Sequence, residues 1–181
     1  MHGVSNAKLA VNYLGALGST VSDALEGMTD DLSESSIAVL LTLKHRAPLP
    51  TSDLAEIVKL SQSACTRAID KLAVAGLIVR TPSERNEVRI SLTDAGQRRA
   101  NQLQKRRAEI LDSLLGALNN AQRIQFAKLT AQILAQPVTG RRYARQVCRF
   151  CDHKVCDGVL CPVGCAATRI EKSTAHIGMD V

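Results

Sequence analysis

Apolar side chains recur every three or four residues at the start of the chain, which predicts one long amphipathic helix. The members of this stripe are Val4, Ala7, Val11, Leu14, Leu17, Val21, Leu25 and Met28. A single apolar stripe on a terminal helix needs a surface to pack against. We therefore expect this helix to cover either the core of its own domain or a second subunit.

Five further segments carry the helical pattern of apolar positions and end at turn or capping residues. Their predicted bounds are Ser33 to about His45, Thr51 or Ser52 to Val58, Gln62 to Ala75, Asp94 to about Leu115, and about Asn120 to Ala135. Gly76 suits the end of the third segment because glycine readily adopts the left-handed conformation found there. Lys59 to Ser61 is short enough to form a tight turn between two of the predicted helices.

Two short apolar segments between these helices predict a β-hairpin. Leu77 to Val79 forms the first strand, the polar stretch from Thr81 to Asn86 forms the turn, and Val88 to Leu92 alternates apolar and polar residues as a half-exposed strand does. A short helix, a tight turn, a second helix and a hairpin follow the order of a winged helix-turn-helix. The predicted fold is mainly α, with a small β-hairpin wing and long N- and C-terminal dimerisation helices.

The second helix of this unit has the pattern expected of a helix that enters the DNA major groove, which admits one α-helix held outward by a scaffold. Cys65, Ile69 and Leu72 share one stripe and are predicted to face the core. The predicted DNA-contacting residues are Ser61, Gln62, Ser63, Thr66, Arg67 and Lys71 on the helix, with Arg85 and Arg89 on the hairpin. The alternative is an ordinary three-helix core with a basic surface.

Three stretches resemble the MarR family of bacterial regulators: SQSACTRAIDKL at 61–72, AGLIVR at 75–80 and VRISLTDAG at 88–96. The resemblance covers roughly Ser33 to Ala135. It implies an obligate homodimer that binds a palindromic operator in double-stranded DNA. It also implies a regulator, usually a repressor, that a small ligand or thiol oxidation releases. The family's wing usually carries Asp-x-Arg, but this chain has Glu84 and Asn86 there, so the groove-reading arginine is missing or displaced to Arg85.

Charge and composition narrow the class of partner. The net charge is +6 and aromatic residues make up only 2% of the chain. The basic residues are concentrated from Ser61 onward, which favours a polyanion partner. The scarcity of aromatics argues against the stacking platforms that bind single strands. We find no signal peptide and no run of about 18 apolar residues, so a cytoplasmic protein without membrane contact is expected.

Five of the six cysteines lie between Cys148 and Cys165, within a tail that we define as residues 137–181. The tail follows a predicted DNA-binding and dimerisation domain at 1–136. Intracellular cysteines are more often thiols or metal ligands than structural disulfides. The predicted metal ligands are Cys148, Cys151, Cys156 and Cys161, with Cys165 or His153 as a spare. Structural zinc is the leading interpretation, and an iron–sulfur cluster, a thiol–disulfide switch and inert cysteines are the alternatives.

No phosphate-binding loop, His-Glu-x-x-His motif or catalytic triad occurs in the chain, so an enzyme is not predicted. The leading function is a dimeric transcription factor that responds to a small ligand, a metal or the redox state. One alternative is a metal or thiol redox protein that uses the helical part as a dimer scaffold. Another is a protein-interaction module that docks through the tail.

Overall fold

The computed structural model describes residues 6–26, 28, 31–83 and 87–177. Over these residues the α-helices are α1 (Asn6–Leu25), α2 (Glu34–Arg46), α3 (Thr51–Val58), α4 (Gln62–Val74), α5 (Asp94–Leu114), α6 (Asn120–Ala135), α7 (Arg141–Val147) and α8 (Pro162–Ile177). The strands are β1 (Leu49–Pro50), β2 (Ile78–Pro82) and β3 (Val88–Leu92), and short 3-10 turns cover Leu115–Ala117, Cys148–Phe150 and Gly158–Leu160.

Several helices begin at a polar side chain that accepts a hydrogen bond from the first helical turn. These caps are Ser33, Ser61, Thr93 and Asn119. Each cap satisfies a backbone N–H that has no partner within its helix, which explains why the sequence placed these four starts correctly. Helix α6 begins and ends at the predicted residues, Asn120 and Ala135.

The sheet has three strands in the order β1-β3-β2, and all neighbours are antiparallel. The predicted hairpin is confirmed, but its first strand runs on to Pro82, where the sequence predicted a turn. Pro82 is tolerated because β2 is an edge strand whose outer N–H positions need no partner. The sequence missed β1, in which Leu49 pairs with Ile90 of β3.

The core of the winged helix-turn-helix unit is aliphatic, as the composition requires. Its fully buried members include Leu40, Leu41, Leu43, Leu54, Ile69, Leu72, Ile90 and Leu103. They come from α2, α3, α4, α5 and β3, so the two helices of the DNA-binding motif share one core with the wing. This shared core fixes the direction in which α4 faces outward.

The tail has a small core of its own, built largely from alanine and valine. The buried members are Val138, Ala144, Cys148, Val163, Ala166 and Ala167, and they lie at the junction of α6, α7 and α8. The sequence analysis did not predict α8. The tail also contacts α2 and α3, so it packs directly against the DNA-binding unit and against α6.

Two long helices present unburied apolar residues. Neither α1 nor α6 contains a buried residue. Val11 and Leu14 on α1 are 73% and 51% exposed, and Ile124 and Ile133 on α6 are 52% and 50% exposed. The predicted first helix is present but ends at Leu25, so Met28, the last predicted member of its stripe, lies beyond it. Val4 lies outside the described residues. In the described parts of the chain, no helix combines the length and apolarity needed to cross a membrane.

Candidate nucleic-acid interface and cysteine cluster

The turn between α3 and α4 sets the position of the predicted recognition helix. Lys59 adopts the left-handed conformation with φ of 59°, and the Leu60 N–H donates to the Ala55 carbonyl at 3.0 Å. The Ser61 hydroxyl then accepts a hydrogen bond from the Ala64 N–H at 3.2 Å and begins α4. The turn residues and the cap together hold the first turn of α4 at the surface.

The structure separates the two faces of α4 as predicted. Cys65, Ile69 and Leu72 are buried to 1% exposure or less. The predicted contact residues of α4 are all exposed: Ser61, Gln62, Ser63, Thr66, Arg67 and Lys71. We call this set the outer face of α4. It offers hydroxyls, an amide and two cations to a partner, as direct contacts with bases and phosphates require.

The charge of the outer face is only partly compensated. Asp70 lies on α4 between Arg67 and Lys71 in sequence, but its carboxylate is paired with the Arg80 guanidinium of β2. Within the described residues, neither Arg67 nor Lys71 forms an ion pair with an acidic side chain. The sequence did not single out Arg80, because its partner Asp70 lies ten residues earlier, on a different element.

The wing is less well defined as a contact surface. Arg89 on β3 is half-buried and donates to the Glu87 carboxylate at 3.3 Å, so its charge is shared with an acid on the same strand segment. Arg85, the other predicted wing residue, lies outside the described residues together with Glu84 and Asn86. The described part of the interface therefore rests mainly on α4.

Comparison with known proteins decides the family. Residues 32–87 match the model of the MarR family. The HTH-type transcriptional repressor MdtR of Bacillus subtilis is 30% identical over 114 residues, which cover 61% of this chain and 74% of MdtR. The chain belongs to the MarR family. MarR-family proteins are DNA-binding transcription regulators rather than enzymes, so the predicted family, fold class and absence of an enzymatic role agree with this membership.

Solved structures show the same fold. The YusO protein from Bacillus subtilis aligns with a TM-score of 0.60 and 27% identity, and covers 75% of this chain and 100% of its own. BpsR of Bordetella bronchiseptica aligns with a TM-score of 0.55 and 18% identity, and covers 74% of this chain and 99% of its own. About a quarter of this MarR-family chain thus has no counterpart in either structure.

Four of the five tail cysteines lie together. Cys148, Cys156 and Cys161 line one cavity, and Cys151 and Cys161 pack against the core cluster of the tail that contains Cys148. We call Cys148, Cys151, Cys156 and Cys161 the thiol cluster. They are the four predicted ligands, and all of them are free thiols. In the described residues, no group of three or more His, Cys, Asp or Glu side chains is arranged to hold a metal ion.

The two predicted spare ligands have other partners. The Cys165 thiol donates to the carbonyl oxygens of Gly158 at 3.5 Å and Val159 at 3.7 Å. The His153 ring stacks on His45, with 4.5 Å between the ring centroids, and interacts with the backbone of Cys148. Burial lowers the pKa of His45, with help from the neighbouring His153 and Lys44.

Arginines surround the thiol cluster. Arg46 lies beside Cys148 and Cys151, Arg107 beside Cys151, and Arg141 beside Cys161. The hydrogen bond with Cys148 lowers the pKa of the Cys151 thiol to about 7, with help from Arg107 and Arg46 and against the effect of burial. The same bond and burial raise the pKa of Cys148. Burial, together with Cys161, raises the pKa of Cys156 to about 11, so Cys151 is the thiol of these three that ionises first.

The tail is attached to the DNA-binding unit by specific contacts. The Gln146 amide donates to the Glu56 carbonyl of α3 at 3.1 Å, and Arg142 pairs with the Glu56 carboxylate at 3.1 Å. The buried Gln104 of α5 donates to the Phe150 carbonyl at 3.2 Å. The sequence analysis placed the tail after the last dimerisation helix by chain order alone. These contacts join residues 46 to 90 positions apart, so no local pattern reveals them.

Proposed function

We propose that this chain is a transcriptional regulator that binds a palindromic DNA operator as a homodimer and inserts α4 of each subunit into the major groove. The observation that carries this proposal is the division of α4 into a buried apolar face and an exposed polar and basic face. A helix of this kind, held outward by a shared core, matches the way a helix-turn-helix protein reads base edges. Gln62, Ser63 and Thr66 are the proposed base readers.

Arg67 and Lys71 are the proposed electrostatic anchors of the same helix, because they are the cations of the outer face that have no acidic partner among the described residues. Each phosphate neutralised by such a cation releases counterions, which makes binding salt-dependent. Arg85 and Arg89 are proposed to extend the contact along the wing.

The apolar residues left exposed on α1 and α6 support the homodimer. Val11 and Tyr13 on α1 are 73% and 67% exposed, and Leu129 and Ile133 on α6 are 49% and 50% exposed. Exposed apolar stripes on two long helices mark a protein–protein contact surface. We propose that the partner on this surface is a second copy of the chain. A palindromic operator has two half-sites about 34 Å apart, and a dimer places one α4 helix at each of them.

The direction of regulation and the control signal are proposed from the relatives. MdtR is a transcriptional repressor, so we propose repression for this chain as well. The DNA binding of BpsR is regulated by 6-hydroxynicotinic acid, which supports a small-molecule effector here. The thiol cluster offers a metal or redox input as the other possible signal. A repressor of this type acts where the chromosome is, in the bacterial cytoplasm.

The test compares Arg67→Ala with Arg106→Ala, which removes the same charge from the exposed face of α5. Operator fragments from the protein's own promoter region are titrated at several salt concentrations. We expect Arg67→Ala to lower operator affinity about 10- to 100-fold, the equivalent of roughly 1–3 kcal/mol, and to reduce the salt dependence. Arg106→Ala should change affinity less than threefold. Equal affinities of Arg67→Ala and the unmodified protein would remove α4 as the recognition helix.

A further inference from the structure

We propose that the four sulfurs of the thiol cluster, Cys148, Cys151, Cys156 and Cys161, bind one zinc ion that fastens the tail to α2 and α3. The zinc site is argued from the arrangement of residues in the tail alone. Only the expected effect of zinc on operator binding rests on the proposed function.

The arrangement of the sulfurs is the first argument. In a tetrahedral zinc site with Zn–S bonds of about 2.3 Å, neighbouring sulfurs are about 3.8 Å apart. Cys148, Cys156 and Cys161 line one cavity, and Cys151 packs against the same core cluster as Cys148. The four cysteines therefore lie around one space, and side-chain rotation has to bring their sulfurs to this separation. Bound as thiolates, they give the site a net charge of −2.

The segment that links these cysteines has little else to hold it in place. Val155, Val159 and Leu160 are its large apolar residues, and they are 74%, 91% and 71% exposed. Residues 151–161 form a turn, a bend and a short 3-10 helix rather than a regular α-helix or strand. A loop without buried apolar residues needs a cross-link or a bound metal to be ordered. The cysteines of this loop form no disulfide, so the metal is the remaining explanation.

The start of α8 is built to hold a thiolate. The Gly164 N–H donates to the Cys161 sulfur at 3.2 Å, and Cys161 immediately precedes this helix of 16 residues. A β-carbon at Gly164 would lie 3.2 Å from the same sulfur, so glycine permits the close approach. Backbone N–H groups at a helix N-terminus stabilise a sulfur that carries negative charge.

Uncompensated positive charge is the fourth argument. Arg46 lies beside Cys148 and Cys151, its other charged neighbours are Arg145 and Arg141, and no acidic side chain pairs with it in the described residues. Four neutral thiols, or a disulfide, would leave this arginine without a counter-charge. A zinc tetrathiolate supplies two negative charges at the place where the arginines converge.

The test uses the full-length protein, purified without oxygen and in the presence of a reductant. We expect about one zinc per chain and a colourless sample. Replacement by Co²⁺ should give the visible absorption of tetrahedral cobalt and an ultraviolet charge-transfer band with the intensity of four thiolates. A brown sample that contains iron and sulfide, or a protein with no bound metal, would overturn the proposal.

Cys156→Ser and Cys165→Ser form a matched pair of variants. Cys156→Ser should lose at least nine tenths of the zinc, whereas Cys165→Ser should retain about one zinc per chain. The Cys165 thiol is held by two carbonyl oxygens, at 3.5 and 3.7 Å, whereas the Cys156 thiol has one longer contact of this kind, with Leu160 at 3.8 Å. The opposite result would show that the ligand set is wrong. If Cys156→Ser does not fold, the number of thiolate ligands can still be obtained from the unmodified protein. The intensity of the charge-transfer band after loading with cobalt gives that number.

A separate measurement tests the fastening of the tail. Gln146 and Arg142 both contact Glu56 of α3, the helix that precedes the recognition helix. We expect removal of zinc by a chelator to lower operator affinity about tenfold, within the usual range for coupled sites. Unchanged affinity would disprove the coupling. Because zinc is counted without DNA, failure of the zinc site and failure of operator binding give different results.

Discussion

Gly96 lies so close to the backbone of Leu77 that a β-carbon at Gly96 would be 1.8 Å from the Leu77 carbonyl oxygen. This contact joins the first turn of α5 to the residue that leads into the wing. The same carbonyl accepts the Thr93 N–H at 3.1 Å, and the Thr93 hydroxyl donates to the Gly76 carbonyl at 2.7 Å. The end of the recognition helix, the wing and α5 are thus held together at one point.

Substitution Gly96→Ala is expected to destabilise the protein strongly. The added methyl group meets backbone rather than a movable side chain, so α5 or the wing must shift. We expect a loss of about 2–4 kcal/mol in the free energy of unfolding, at the upper end of the range for overpacked sites. Urea unfolding followed by circular dichroism measures this loss.

Gly116→Ala is the control for that experiment. Gly116 is exposed and an added β-carbon there meets nothing within 4 Å. The expected change is within about 0.5 kcal/mol, with a small gain possible from the reduced entropy of the unfolded chain. If both variants have the same stability as the unmodified protein, the contact between Gly96 and Leu77 is not as close as described.

Thr93 tests the same junction through its hydroxyl. It accepts the Gly96 N–H at 3.0 Å while it donates to the Gly76 carbonyl, so one side chain caps α5 and holds the end of α4. Thr93→Val keeps the shape but removes both bonds, and should cost about 1–2 kcal/mol. Thr93→Ser keeps the hydroxyl and should cost less than half as much. Thermal unfolding of the two variants distinguishes the bonds from the packing.

Local signals made much of this region predictable from sequence. Ser33, Ser61, Thr93 and Asn119 each begin a helix through contacts with residues only three positions away, and such contacts are visible in the sequence. The buried and exposed faces of α4 follow from helical periodicity alone. These are the features on which the predicted DNA interface depends.

Contacts between distant residues were not predictable. The pairing of Leu49 with Ile90 creates β1 from only two residues, and a strand that short leaves no periodic pattern. The bond between Gln146 and Glu56 likewise depends on how the tail folds back. The thiol cluster was anticipated because its cysteines are close in sequence, whereas the surrounding Arg46 and Arg107 come from other parts of the chain.

Cys65 should be chemically inert in the folded protein, although it lies in the recognition helix. It is fully buried, and burial raises the pKa of its thiol to about 11. At pH 8 only about one molecule in a thousand would carry the thiolate, even without the steric barrier. Mass spectrometry after brief iodoacetamide treatment should find Cys65 unmodified in the native protein and modified in denaturant.

Cys165 is the internal reference for that labelling. It is partly exposed and is not one of the proposed zinc ligands, so it should react in the native sample whether or not metal is present. Rapid native modification of Cys65 at a rate close to that of Cys165 would show that α4 opens easily. It would also mean that oxidants can reach Cys65.

The ion pair between Asp70 and Arg80 should tune DNA affinity more than stability. The two side chains are 55% and 41% exposed, and surface pairs of this kind contribute about 0–1 kcal/mol to folding. Asp70→Asn removes a negative charge beside Arg67 and Lys71 and frees Arg80. We therefore expect a three- to tenfold gain in affinity for non-specific duplex DNA and a steeper salt dependence.

Arg80→Gln should act in the opposite direction, because it leaves the Asp70 carboxylate unpaired beside the outer face of α4. Titration of a fluorescent non-specific duplex at low and moderate salt measures both variants, and their melting temperatures should stay within about 3 °C of the unmodified protein. Two variants that shift affinity in the same direction would show that the pair acts by shaping the fold. Opposite shifts would show that the charge beside α4 contributes to the attraction of duplex DNA.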